Sequence, residues 1–151
     1  MLYFGSFHLD NFTDMLRREG SNLIILKDGE AVFTSNKDGM QPLLQAIDCI
    51  GLPVLGDSIV VDKIVGKAAA LLISYFKARE VHCIVLSVRA KEVLDKQGIK
   101  YYSETMIQEI RNKLGTDICP FEKSVLDVVE PEEGYKLLVA KMKLLQISGA
   151  R

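Results

Sequence analysis

Residues 68–76 are apolar except for Ser74, and a second apolar run follows at residues 81–88. A helix over residues 63–78 that carries Ala68-Ala69-Ala70 and Leu71-Leu72-Ile73 has almost no polar face, so other elements must cover it on several sides. A continuous apolar strand at 81–88 must be buried on both faces, as inside a parallel sheet. Helix and strand in succession belong at the centre of an α/β domain. The apolar stretch at 68–76 is far shorter than the ~20 residues a membrane span requires.

The remaining segments supply the cover. With 48% hydrophobic and 26% charged residues, a chain of 151 residues builds one core, and a single domain over 1–151 is expected. Leu9, Phe12, Met15 and Leu16 have helical spacing, with Asp10 or Asn11 as cap and Gly20 as terminator. Residues 23–26 and 31–34 read as strands of a hairpin turned by Lys27-Asp28-Gly29-Glu30. Leu43, Leu44, Ile47 and Ile50 form the stripe of a second helix that has Pro42 in its first turn and ends at Gly51. Residues 54–61 hold a short strand around Ile59-Val60-Val61, after which Asp62 is a good N-cap for the apolar helix. A helix at 90–97 closed by Gly98 and a strand at 99–102 complete a parallel crossover. Helices are expected at 104–113 and 120–129, and a last one opens at Pro131 with Leu137, Leu138, Met142 and Leu145. The sum is an α/β three-layer α/β/α sandwich with a mixed sheet.

Nineteen basic and twenty acidic side chains leave a net charge of −1, which gives no global attraction to nucleic acid or to an anionic membrane. Neither partner is expected; a homo-oligomer stays open. Cys49, Cys83 and Cys119 are odd in number and far apart, which suits a reducing compartment. Residues 1–10 include His8 and Asp10 and lack the basic start and apolar run of a signal peptide, so a cytoplasmic location is expected.

Val65-Gly66-Lys67-Ala68-Ala69-Ala70-Leu71, the strand at 81–88, and Ser87-Val88-Arg89-Ala90-Lys91-Glu92-Val93-Leu94 resemble the core of the cytidine deaminases over residues 29–104. More closely, Asp62-Lys63-Ile64-Val65-Gly66-Lys67-Ala68 with Cys119-Pro120-Phe121-Glu122 resembles an uncharacterised small-protein family assigned to the deaminase-like fold, over most of the chain. The resemblance implies a cleft at the start of the central helix. Zinc deaminases place a His or Cys and two further Cys on the metal, with a glutamate to move protons. Here those places fall on Val65, Ser87, Ala90 and, for the glutamate, Lys67. No metal and no zinc-dependent deamination are therefore expected.

The strongest polar cluster is Gly56-Asp57-Ser58, Asp62-Lys63 and Gly66-Lys67. If Asp62 caps the helix, Lys63 and Lys67 share a face beside free backbone N–H groups, an arrangement suited to phosphate. Asp57, Ser58, Asp62, Lys63, Gly66, Lys67 and Cys119 are thus the candidate ligand residues for a nucleotide or ribose-phosphate. The plainer alternative makes Asp62 a cap, the lysines solvated and Asp57 a turn residue. Cys119, before Pro120, is expected at a helix N-cap where the dipole lowers a thiol pKa, with Glu122 bonding back to the cap. His82 packs or faces solvent, and of Tyr101 and Tyr102 only one ring can face the core. Three functions stay open: nucleotide binding in a metal-free cleft, an enzyme using Lys67, Asp57 or Cys119 there, and a structural or interaction protein with a vestigial cleft.

Overall fold

The computed structural model describes residues 6–148, with side chains over 12–146. Helix α1 (Ser6–Glu19) precedes a hairpin of β1 (Leu23–Lys27) and β2 (Glu30–Ser35). Asp28 and Gly29 at its turn take φ of 52° and 83°, the left-handed conformation that a tight two-residue hairpin needs. Helices α2 (Gln41–Ile50) and α3 (Leu52–Leu55) follow, then β3 (Ile59–Val65), α4 (Lys67–Tyr75), β4 (Glu80–Ser87), α5 (Val88–Gln97) and β5 (Lys100–Ile107). A short α6 (Pro120–Ser124) and a long α7 (Pro131–Ser148) close the chain. Asp10 and Asn11 lie inside α1, which starts at Ser6, so neither is its cap.

The five strands run in the order β2-β1-β3-β4-β5. β1 is antiparallel to β2 and to β3, whereas β3, β4 and β5 are parallel. The sheet is mixed, and the apolar strand has a parallel neighbour on each side, as its composition required. Alternation along β1 divides the interior in two. Leu23 and Ile25 join Val60, Val81 and the buried residues of α4, while Ile24 and Leu26 join Val61 and Leu16 of α1. From Ala68 to Ser74 every residue of α4 is buried.

Four segments depart from expectation, two of them because strand pairing outweighs a local signal. The strand before the central helix does not stop at Val61: Asp62, Ile64 and Val65 pair with Cys83, Val85 and Leu86. Asp62 is therefore inside β3, Gly66 is the N-cap, and α4 begins at Lys67. Residues 52–55, in part expected to be extended, form α3. The helix expected at 104–113 is likewise absent. Thr105, Met106 and Ile107 continue β5 against Val85, Leu86 and Ser87, and residues 108–119 are irregular apart from a bridge between Arg111 and Ile118. The expected helix at 120–129 is helical only as α6.

Leu72 is fully buried in α4. Leu72→Ala is expected to destabilise the fold by about 2–5 kcal/mol through lost burial and a residual cavity, measured by chemical denaturation.

Candidate functional site

Helices α4 and α5 both start at the carboxyl ends of parallel strands, where α/β sheets commonly bind ligands. Each helix presents unpaired N–H groups there. α5 satisfies its own: Ser87 is the N-cap, and its Oγ accepts the Ala90 N–H at 3.1 Å. Gly66 has no side chain to do the same for α4. Glu122 of α6 does it instead, with Oε1 accepting the Lys67 N–H at 2.8 Å and Oε2 accepting the Ala68 N–H at 2.7 Å. A carboxylate of this chain thus occupies the anion position of the central helix.

Gly66 makes this approach possible. Its φ of −101° is open to any residue, so space and not backbone freedom demands glycine. A Cβ there would lie 2.6 Å from Ile110 Cγ1 and 2.7 Å from Glu122 Oε1. The Lys67 ammonium donates to the Leu126 carbonyl oxygen at 2.7 Å, so main chain and side chain of one residue hold the same segment. Arg89, in the first turn of α5, lies 3.7 Å from Glu109, which also pairs with Arg111 at 2.9 Å. Burial, then the charge of Arg89, lower the Lys67 pKa. Burial raises the Glu122 pKa against the opposing pull of its two backbone bonds.

The candidate residues named from sequence do not form one cavity. Gly66, Lys67 and the segment bearing Cys119 meet at the carboxyl end of β3. Asp57 precedes that strand at its other end, roughly 20 Å away for seven extended residues. It is exposed, has a φ of 60°, and lies 3.9 Å from Arg79. Ser58 is buried with its Oγ unpartnered. Lys63 is exposed on β3, and its N–H donates to the Asn22 carbonyl and the Asp62 carboxyl. Lys63 and Lys67 therefore share no helix face.

Asp62 is not a cap but a core residue, only 5% exposed, opposite Cys83 in the ladder. Its carboxyl accepts the Lys63 N–H at 2.8 Å and the Ile64 N–H, yet burial pushes its pKa up to about 8. Burial, with the neighbouring Asp62 charge adding to it, pushes the Cys83 thiol up to about 12, which leaves it unreactive.

Cys119 is the N-cap of α6, half-buried, with no side-chain cap bond. The expected return bond from Glu122 to that cap is absent because Glu122 faces α4. Lys123 pairs with Asp117. His82 packs: its ring stacks on Tyr102 at 4.7 Å, meets Phe12 at 4.5 Å, and Nε2 lies 2.9 Å from Glu80. Tyr101 packs against the core, and Tyr102 is 39% exposed.

The zinc positions implied by the resemblance do not fit a metal. Val65 and Ala90 are buried apolar side chains, and the Ser87 hydroxyl is engaged as a cap. Among the described residues no group of three or more His, Cys, Asp and Glu is placed to hold an ion. A surface groove of about 410 Å³ on the outer side of α6 is lined by Asn112, Asp117, Pro120, Lys123 and Lys141, among others, and by none of the candidate residues. The sequence pointed Glu122 at its own short helix and not at the start of α4. The one available signal was a glycine at a helix start with no glycine-requiring motif around it.

Fold and site together define a mixed α/β protein whose helix-start anion position is filled from within. Residues 11–142 match the model of the TM1506 domain of unknown function, DUF1893, and the chain belongs to that family. It is similar to the crystal structure of a DUF1893 family protein (TM1506) from Thermotoga maritima, with 28% identity, a TM-score of 0.77 and 88% of each chain covered. No curated protein matches the chain. Among the described residues no helix is long and apolar enough to cross a membrane.

Because Gly66 is small only to admit Glu122 and Ile110, Gly66→Ala and Glu122→Ala are expected to destabilise by about 1–3 kcal/mol each and to be clearly less than additive in the double variant, by urea denaturation. A second expectation concerns Asp62, whose pKa rises from 3.8 to about 8 on folding. In that window the folded chain keeps a proton that the unfolded chain releases, so its contribution to stability falls as pH rises. Asp62→Asn should flatten this slope, gaining on the wild type steadily between pH 4 and 8 in unfolding experiments.

Proposed function

We propose that the chain is a metal-independent protein of deaminase-like, three-layer α/β/α architecture whose cleft is closed by its own carboxylate, and that it acts through its surface without converting a substrate. One observation carries this reading. The first free N–H groups of α4, which would face a ligand at the start of the central helix, are taken by Glu122, itself 5% exposed. Opening the cleft would strand two buried donors and free Lys67 from Leu126, a combined penalty of several kcal/mol that a weak ligand does not repay.

A nucleotide or ribose-phosphate is the second reading, and a specific arrangement favours it. Lys67 and Arg89 stand beside the α4 N-terminus, so a phosphate replacing Glu122 would meet two cations and the helix dipole together. Asp57, Asp62 and Lys63 have no part in it. As an enzyme, the same cleft would rest on Lys67, the candidate that stays at the site with a destabilised ammonium.

Calorimetry with nucleoside mono- and diphosphates separates the readings. The proposal expects no saturable binding by the wild type. Saturable binding that Lys67→Ala weakens by about 1–3 kcal/mol would replace it with the nucleotide reading, and turnover of the bound compound would establish the enzyme.

A further inference from the structure

The sheet has two edges of different character. At one end β2 has six residues, and a bulge between Ile25 and Leu26 of its partner breaks the register. Bulges twist an edge away from further pairing. At the other end β5 runs for eight residues, Lys100–Ile107, bonded on one side to β4. Beyond β5 the chain turns inward, bringing Ile110 and Glu122 to Gly66 and leaving the edge behind it uncovered among the described residues. That edge holds no proline, and Tyr102 and Met106 are 39% and 45% exposed. A long edge of this kind is a template for another strand.

We propose that β5 pairs antiparallel with β5 of a second copy across a two-fold axis, joining the two sheets edge to edge. The occupant follows from charge. An axis at Tyr102 sets Lys100 of each copy opposite Glu104 of the other, so the contact is complementary to itself. Lys100 is exposed and makes no ion pair among the described residues. Glu104 is held by both guanidinium nitrogens of Arg17, at 2.8 and 3.1 Å, which keeps its carboxylate ionised and in place at the edge. Tyr102, backed by the His82 ring, meets its symmetry mate at the axis. Two charge pairs flanking an aromatic pair specify one register. The proposal is independent of whether the cleft takes a ligand.

Sedimentation of the full chain over a range of concentrations tests it, together with hydrogen exchange at low and high concentration. A dimer is expected, with slower exchange over residues 100–107 in the dimer. Lys100→Glu, an exposed change that sets like charges face to face, is expected to raise the dimer dissociation constant by about tenfold or more. A monomer at every concentration would overturn the proposal. So would a dimer whose 100–107 amides exchange as in the monomer, or whose dissociation constant Lys100→Glu leaves unchanged.

Discussion

The contact between the Glu122 carboxylate and the first N–H groups of α4 organises the far half of the molecule. It requires a glycine at 66, brings α6 to the end of β3 and the start of α4, and sets Lys67 against Leu126. It is also a compromise between opposing terms. Burying a carboxylate raises its pKa and works against the contact, while two backbone bonds, the helix dipole, Arg89 and Lys67 favour the ionised form. α5 reaches the same end with the Ser87 hydroxyl, three residues away from the Ala90 N–H it serves. The neighbouring helices thus solve one capping problem by different means, and the long-range solution fixes where residues 119–128 must lie.

Placing these residues in the fold changes what they can do. Asp62 reads as a polar residue at a helix boundary, but the strand continues past it and carries its carboxyl into the core beside Cys83. His82 lies in an apolar strand and is covered by the Phe12 and Tyr102 rings. Asp62, His82, Cys83 and Glu122 are thereby engaged in packing and capping in the interior.

Local pattern and tertiary pairing divide the account between them. The hairpin at Asp28-Gly29, α2 between Pro42 and Gly51, α5 closed by Gly98 and α7 opened by Pro131 were all legible, because each rests on a turn or cap residue whose preference acts over a few positions. The apolar runs at 68–76 and 81–88 were legible for a different reason: burial on all sides leaves no polar periodicity, and a covered helix beside a strand with two parallel neighbours accommodates both.

The candidate site was legible only in part. Gly66, Lys67 and the segment bearing Cys119 lie together, whereas Asp57 fell at the opposite end of β3 and Asp62 inside it. The strand extensions through Val65 and Ile107 depend on hydrogen bonds to β4, which no window of residues contains. Glu122 lies 55 positions from Lys67, and its local spacing pointed to a cap on its own short helix. By itself the sequence determined the punctuation of the chain and the depth at which its apolar segments lie, since both follow from short-range conformational and solvation preferences. Only the tertiary structure decided where strands end and which side chain caps which helix, because those outcomes are set by partners that come together when the sheet closes.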